Sequence, residues 1–470
     1  MKALIFTDMA GYYGWGRAAG AYRIASEFRI RGDEVKVVDC FCSYTLDQIK
    51  QIILDNRTSQ TEWIGFSTTF LVNLEKNYVL DYENNEMAHR LKSLEFKDEA
   101  TATSLTRMDQ WELFSWLKGI GLKIILGGYR VGTDAEFAHA DGAGDDDNVT
   151  SMWGIAEPSF FGDDFNFTNS QIHYTKDDYI NENEDLPIEI ARGCIFKCKF
   201  CFFPLNGKKL WEFVKSPEVI REEMMRNYID YGTTGYMVSD DTYNDSAEKI
   251  HELLKMYRTL PFENRFSTYA RFDLMISKPE TQEMLYESGM RSVFFGLETF
   301  KHSAGKMIGK GMDPEKVKHG LLEFRKKYPD VLVYVSMIGG LPGESIDEME
   351  ESFQFLTKEA KVHNVSWSPL FINSGSDMSL HADKYGYKKS GNDKRTWTRA
   401  DGLSSIDVRE WCISKKKQYQ GHPGGWTFYN RLRNIGYDGQ ELLDLNFAAH
   451  TKDIVHKSDA ARLAYIANWV

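Results

Sequence analysis

Cysteine is scarce in this chain: there are six in 470 residues, and three of them, Cys194, Cys198 and Cys201, fall close together. An odd cluster in a chain without secretory signals excludes a disulfide framework. No uninterrupted apolar run approaches the ~20 residues that cross a bilayer. Met1 to Asp8 holds only a short apolar run ending in a polar loop, unlike a signal peptide. These absences predict a cytoplasmic protein without a membrane partner, in a compartment where thiols stay reduced. Positive charge is also in deficit, with 57 Lys and Arg against 69 Asp and Glu and a net charge of -12. That balance argues against nonspecific binding to nucleic acid or to anionic membrane. The first strand is not followed by G-x-G-x-x-G, which argues against a nicotinamide site. The acidic run Asp141 to Asp147 lacks the residue order of an EF-hand and reads as a solvated loop.

What is present is a globular composition, 42% hydrophobic and 14% aromatic, in a chain long enough for two or three domains. Its chemistry concentrates in Ala191-Arg192-Gly193-Cys194-Ile195-Phe196-Lys197-Cys198-Lys199-Phe200-Cys201. Three thiolates leave a coordination position open on whatever they bind, and an open position is where chemistry happens. A structural zinc site needs a fourth ligand, and the nearest histidines in sequence, His173 and His251, stand at neither finger spacing. Cys40, Cys42 and Cys412 lack a third partner and read as buried rather than catalytic.

Short apolar strands alternate with helical patterns from the start. Ala3 to Thr7, Val35 to Asp39, Trp63 to Ser67 and Lys123 to Leu126 read as strands of a parallel, doubly wound sheet. Ala21, Ile24, Ala25 and Phe28 mark a helix closed by Gly32, and Thr45 with Gln48 makes a capping box for the next. Between Leu71 and Gln110 the periodicity weakens, as in an insertion, and polar Asn166 to Asp185 reads as a linker. Alternation resumes at Ile188, with strands at 188–190, 235–238, 266–269, 292–297, 332–338 and 365–370. Ser216, Pro217 and Gly232 bracket the first intervening helix. Past Asn373 the alternation stops, and helical stretches at 406–419 and 458–469 predict a small, mostly helical domain lining the substrate site. The expected division is 1–165, a linker 166–185, 186–375 and 376–470.

Cys-x3-Cys-x2-Cys with an aromatic residue before the last cysteine resembles the cluster loop of the radical S-adenosylmethionine superfamily. By that resemblance the fold is α/β, with a Rossmann-like N-terminal sheet, a central partial (β/α)6 barrel and a helical C-terminal domain. Cys194, Cys198 and Cys201 would hold a four-iron, four-sulfur (4Fe-4S) cluster whose free iron chelates S-adenosylmethionine, and reductive cleavage would release a 5'-deoxyadenosyl radical. The strand-end groups then acquire roles toward that cosubstrate. Asp240 or Asp241 would meet the methionyl ammonium in place of the usual Gly-Gly-Glu, and Arg271 the carboxylate. Glu298 would meet the ribose, Gly339 and Gly340 the adenine, and Phe200 would pack near cluster and base.

The N-terminal pattern resembles the cobalamin-binding domain of one large class of these enzymes. Ser67, Thr68, Gly127, Gly128, Gly154 and Glu157 occupy the matching segments. Asp-x-His-x-x-Gly is missing, so a bound cobalamin would have no lower histidine ligand. With cobalamin, the resemblance implies methylation of an unreactive carbon or a phosphinate-type centre. Without it, rearrangement, cyclisation or another hydrogen abstraction stays open, as does a non-enzymatic, metal-stabilised interaction protein. A methylthiotransferase fits less well, because the N-terminal half offers only Cys40 and Cys42 and no RNA-binding barrel follows. The expected partners are a small-molecule or peptide substrate and an external electron donor such as flavodoxin or ferredoxin.

Overall fold

The computed structural model describes residues 1–8, 13–67, 107–128, 149–153, 156–162, 165–201, 213–372, 375–389, 396–419, 421, 422, 425 and 427–470. Near the N-terminus β1 (Ala3–Phe6), β2 (Val35–Val38), β3 (Trp63–Ser67), β4 (Lys123–Gly128) and β5 (Val149–Trp153) form a parallel sheet in the order β2-β1-β3-β4-β5. Alternate residues enter different cores: Leu4, Phe6, Ile64, Phe66, Ile124 and Leu126 on one face, Ala3, Ile5, Val35, Val37 and Trp63 on the other. Burial on both faces is what makes these strands read as continuous apolar runs. The helix Leu46–Asn56 starts with the expected capping box, in which Thr45 accepts from the Gln48 amide and the Gln48 side chain takes the Thr45 N–H. β5 was not expected; its Val149-Thr150-Ser151-Met152-Trp153 carries too few apolar residues to stand out.

The second sheet holds β6 (Leu186–Glu189), β7 (Gly235–Ser239), β8 (Arg265–Ala270), β9 (Met290–Glu298), β10 (Leu332–Gly339) and β11 (Asn364–Pro369) in sequential order, all parallel. All six expected strands are present in this partial barrel. The helix Pro217–Tyr231 between β6 and β7 starts at Ser216, whose hydroxyl accepts from the Val219 amide, and stops at Gly232 with φ 72°. Phe266 and Ala270 of β8 and Val333, Val335 and Met337 of β10 face the helices. Ser267 and Tyr269 of β8 and Leu332, Tyr334 and Ser336 of β10 face the concave side. There Leu332 and Tyr334 pack on Phe428, Tyr429 and Leu432 of the helix Phe428–Arg433. Asn430 of that helix hydrogen-bonds Ser267 and Asp185, so the C-terminal region fills the part of the concavity nearer the strand starts.

The C-terminal region is mostly helical, as expected, with one antiparallel hairpin of β12 (Tyr387–Lys389) and β13 (Trp397–Arg399) that three-residue strands could not announce. The helix Ser405–Gln418 lies along β11, the edge of the second sheet. The helix Phe447–Ile466 returns to the N-terminal sheet, where Tyr465 and Ile466 join its core and the Tyr465 hydroxyl accepts from the Asp39 amide. Residues 166–185 are held rather than free: buried Arg17 pairs with Glu184 at 2.7 Å, and Arg29 with Asp178 at 2.7 Å. No helix among the described residues is long and apolar enough to cross a membrane.

Candidate active site

The ends of the barrel strands converge on the cysteine loop. Gly193, at φ 101°, takes a left-handed turn that an L side chain would resist, and its amide donates to Asp241 Oδ2 at 2.9 Å. The loop is braced further along by Lys199, whose amide donates to the Ile308 carbonyl and whose carbonyl accepts from Met378. Cys194, Cys198 and Cys201 thereby face one chamber of about 250 Å³, together with Phe196 and Phe200 from the same loop. All three are free thiols. Among the described residues no three His, Cys, Asp or Glu side chains converge tightly enough for a single metal ion. The three sulfurs border a space instead.

The strands supply the rest of the wall: Asp241 and Thr242 follow β7, Tyr269, Ala270 and Arg271 end β8, Phe294, Gly296 and Glu298 come from β9, and Ser336 from β10. Glu298 reaches the chamber because the β9–β10 register slips: Ser336 pairs with Gly296 and Met337 with Glu298, a bulge that passes over Leu297. Such bulges re-aim a side chain. Glu298 pays for this with a positive φ of 68°, and Lys310 Nζ holds it, donating to Glu298 Oε1 at 2.8 Å and to the Gly296 carbonyl at 2.7 Å. Neither Lys310 nor Tyr269, which packs edge-on to Phe294 at 5.1 Å, was foreseen. The concave-face alternation along β8 places Tyr269 two residues before Arg271, whereas Lys310 comes from a loop with no pattern.

Other residues expected at the site take different positions. Asp240 does not line the chamber; it is buried, accepts from the Thr242 amide at 2.9 Å and pairs with Lys249 at 3.0 Å. Gly339 and Gly340 lie against the C-terminal region, where a Cβ would stand 2.9 Å from Val408 and 2.6 Å from Trp397 respectively. Arg271 sits in the wall with its fork turned onto Asp273. In the N-terminal sheet Ser67, Gly127 and Gly128 occupy the strand ends expected for them, and a Cβ at Gly127 meets nothing within 4 Å among the described residues. Glu157 is buried and paired with Arg192 at 2.5 Å. Thr68 and Gly154 lie outside the described residues.

Burial pushes the Cys194 thiol up, partly offset by its contact with Thr242. Cys198 is likewise raised by burial, with Lys310 and Arg271 pulling it back. Burial also lifts Asp241 to about 6, against the stabilising Gly193 amide. Three soft sulfur donors around a chamber, with cations nearby to favour thiolate, fit an iron-sulfur cluster in donor chemistry. In the N-terminal sheet the crevice belongs where the strand order reverses, between β1 and β3. There Arg462 lies 3.6 Å from Asp8, and Ser67 and Gly127 end neighbouring strands.

Residues 188–356 match the model of the radical SAM superfamily. The chain is 26% identical over 168 residues to an uncharacterized methyltransferase of Pyrococcus horikoshii, covering 36% of each chain. It is 21% identical over 279 residues to the bacteriochlorophyllide d C-8(2)-methyltransferase of Chlorobaculum tepidum, covering 57% of this chain and 59% of that one. The matches thus span between 36% and 59% of the length of these two relatives. The radical S-adenosylmethionine methyltransferase TsrM of Kitasatospora setae, solved with cobalamin and an iron-sulfur cluster bound, superposes with a TM-score of 0.59 at 12% identity over 98% of this chain and all of that one. At that identity the likeness is one of fold, and it extends over both sheets and the C-terminal region. The barrel residues therefore form a radical SAM domain, the enzyme domain that works with a four-iron, four-sulfur cluster and S-adenosylmethionine.

Proposed function

We propose that the chain is a cobalamin-dependent radical S-adenosylmethionine methyltransferase acting on an unreactive carbon or a phosphinate-type centre. The observation that carries the reading is the chamber itself: three cysteines on one loop face the inward strand ends of a six-stranded partial barrel. When bound, the cluster supplies the electron that cleaves S-adenosylmethionine to a 5'-deoxyadenosyl radical.

The chain's residues bind and orient. Cys194, Cys198 and Cys201 are the cluster ligands, leaving one iron for the cosubstrate. Asp241, facing the chamber, accepts hydrogen bonds from the methionyl ammonium while its other oxygen keeps the Gly193 amide. Asp240 acts behind it, fixing the Thr242 backbone. Glu298 accepts from the ribose hydroxyls, and Lys310 keeps that carboxylate at the chamber despite its strained backbone. Phe196 and Phe200 exclude water from the loop side, and Tyr269 with Phe294 offers the substrate an aromatic wall. Gly339 and Gly340 shape the end of β10 by letting Trp397 and Val408 approach. Ser67, Gly127 and Gly128 approach a corrinoid at the crevice of the N-terminal sheet, with no histidine from the missing motif. An external flavodoxin- or ferredoxin-type donor supplies the electron. The methyltransferase relatives and the cobalamin-bound fold neighbour support this reading over rearrangement or cyclisation.

The test is product analysis under dithionite after anaerobic reconstitution, with and without added cobalamin. Methyl transfer predicts 5'-deoxyadenosine together with S-adenosylhomocysteine and a corrinoid that copurifies. 5'-Deoxyadenosine alone points to cobalamin-independent hydrogen abstraction, and formation of neither overturns the enzyme reading.

A further inference from the structure

Arg271 is built to serve sulfur. Its Nε and Nη2 donate to the two oxygens of Asp273 at 3.0 and 2.5 Å, and its plane lies over the Phe196 ring, 3.9 Å from the centroid. Its backbone is clasped by Asn244, which accepts from the Arg271 amide and donates to its carbonyl, both at 2.8 Å. With Nε and Nη2 so fixed, Nη1 is directed at Cys198 Sγ, 3.8 Å away. A guanidinium fixed in this way presents a donor in one direction.

A second sulfur has a comparable neighbour. The Thr242 hydroxyl lies 3.2 Å from Cys194 Sγ. The Thr242 backbone is pinned on both sides, its amide by Asp240 and its carbonyl by the buried Lys249 at 3.1 Å. The hydroxyl donates to the Asp241 carbonyl at 2.7 Å, and a Cys194 bound to metal as thiolate, whose sulfur only accepts, competes with that carbonyl for the same proton.

We infer that Arg271 and Thr242 are positioning residues that set the cluster's reduction potential by donating to the sulfurs of Cys198 and Cys194. The inference rests on the cluster reading above and departs from the expectation that Arg271 holds the methionyl carboxylate. Reduction adds one electron, and donors directed at the ligating sulfurs favour the more negative state, raising the potential. Asp273 belongs to the same device: it holds the guanidinium and partly cancels its charge.

The experiment is an EPR-monitored dithionite titration of the full-length, anaerobically reconstituted protein without S-adenosylmethionine, each variant normalised to its iron content. Arg271→Met should lower the reduced-to-oxidised ratio at a fixed solution potential about tenfold, a shift of 59 mV for a one-electron couple. Arg271→Lys should recover part of that shift. Thr242→Val should shift the potential in the same direction by less, and Thr242→Ser should behave as the parent. Asp273→Asn, which keeps an acceptor for Nε but removes the negative charge, should shift it the opposite way. Unchanged midpoints in fully loaded Arg271→Met and Thr242→Val overturn the inference. So does loss of cluster in both, since the residues would then be structural. If the parent protein binds no cluster, it is the functional reading that fails instead.

Discussion

Cys198 is half-buried and lines a chamber rather than a packed core, so under the proposed function its sulfur serves the cluster and contributes little to folding. Cys198→Ala is expected to keep the parent's thermal unfolding within a few degrees while losing cluster iron and 5'-deoxyadenosine formation. Iron analysis alongside calorimetry checks both halves of that statement, and collapse of the fold would mark the site as structural. Glu344 makes a different residue-scale case. It is fully buried, accepts from Thr299 Oγ1 at 2.5 Å, and leaves its other oxygen without a partner among the described residues. Burial pushes its pKa from 4.5 to about 7, against the Thr299 hydrogen bond. Because the folded value is raised, its stabilising share is complete below about pH 4.5 and disappears as pH rises through about 7, on the order of 3 kcal/mol in all. Glu344→Gln should flatten the pH dependence of the melting temperature in that window and leave the variant more stable than the parent above it. That Cys194, Cys198 and Cys201 belong to one site was legible from their spacing, and the structure places all three on one chamber. Lys310 was not, since its role depends on a bulge that turns Glu298 inward, and a register slip leaves no mark in a single sequence.

At the scale of elements, what was legible follows from local chemistry. Thr45 with Gln48, and Ser216 with Pro217 and Gly232, announced helix boundaries because caps satisfy backbone groups within a few residues. The six barrel strands were legible because each sends apolar side chains into the core, among them Ile188, Val238, Phe266, Val293, Val335 and Val365. β5, β12 and β13 were missed for want of length and apolar content. The placement of Gly339 and Gly340 was also not legible: glycine spacing says that something comes close, without saying whether it is a ligand or a tryptophan. Gly340 has φ 84°, and a Cβ there would stand 2.6 Å from the Trp397 ring. Gly340→Ala should therefore destabilise the protein by about 2–4 kcal/mol, from left-handed strain plus overpacking, measured by urea unfolding. A change below ~0.5 kcal/mol would show that the hairpin yields easily.

Across the whole molecule, the chain closes on itself through buried charge. Arg17, with no exposed side-chain surface, donates to Glu184, to the carbonyls of Asp178 and Tyr179 and to the Tyr22 hydroxyl, while Trp15 and Tyr465 flank its guanidinium. It joins the first strand's loop, residues 166–185 and the last helix in one cluster. Nearby Gly14, at φ 79°, leaves no room for a Cβ against the Arg431 backbone. Removing Arg17 strands the Glu184 carboxylate in the interior, so Arg17→Met should cost about 3–5 kcal/mol in equilibrium denaturation. Adding Glu184→Gln should restore part of the loss; a double variant no better than the single one would contradict the stranded-charge explanation. These long-range pairings were invisible in sequence, where 166–185 looked like a polar linker.

The central claim is that three cysteines hold a cluster with one iron left for a cosubstrate. Anaerobic reconstitution followed by iron and sulfide analysis and EPR of the reduced protein, before and after S-adenosylmethionine is added, tests it directly. The account predicts about four iron and four sulfide per chain and a changed signal on addition; one zinc per chain, or a cluster whose spectrum ignores S-adenosylmethionine, would contradict it.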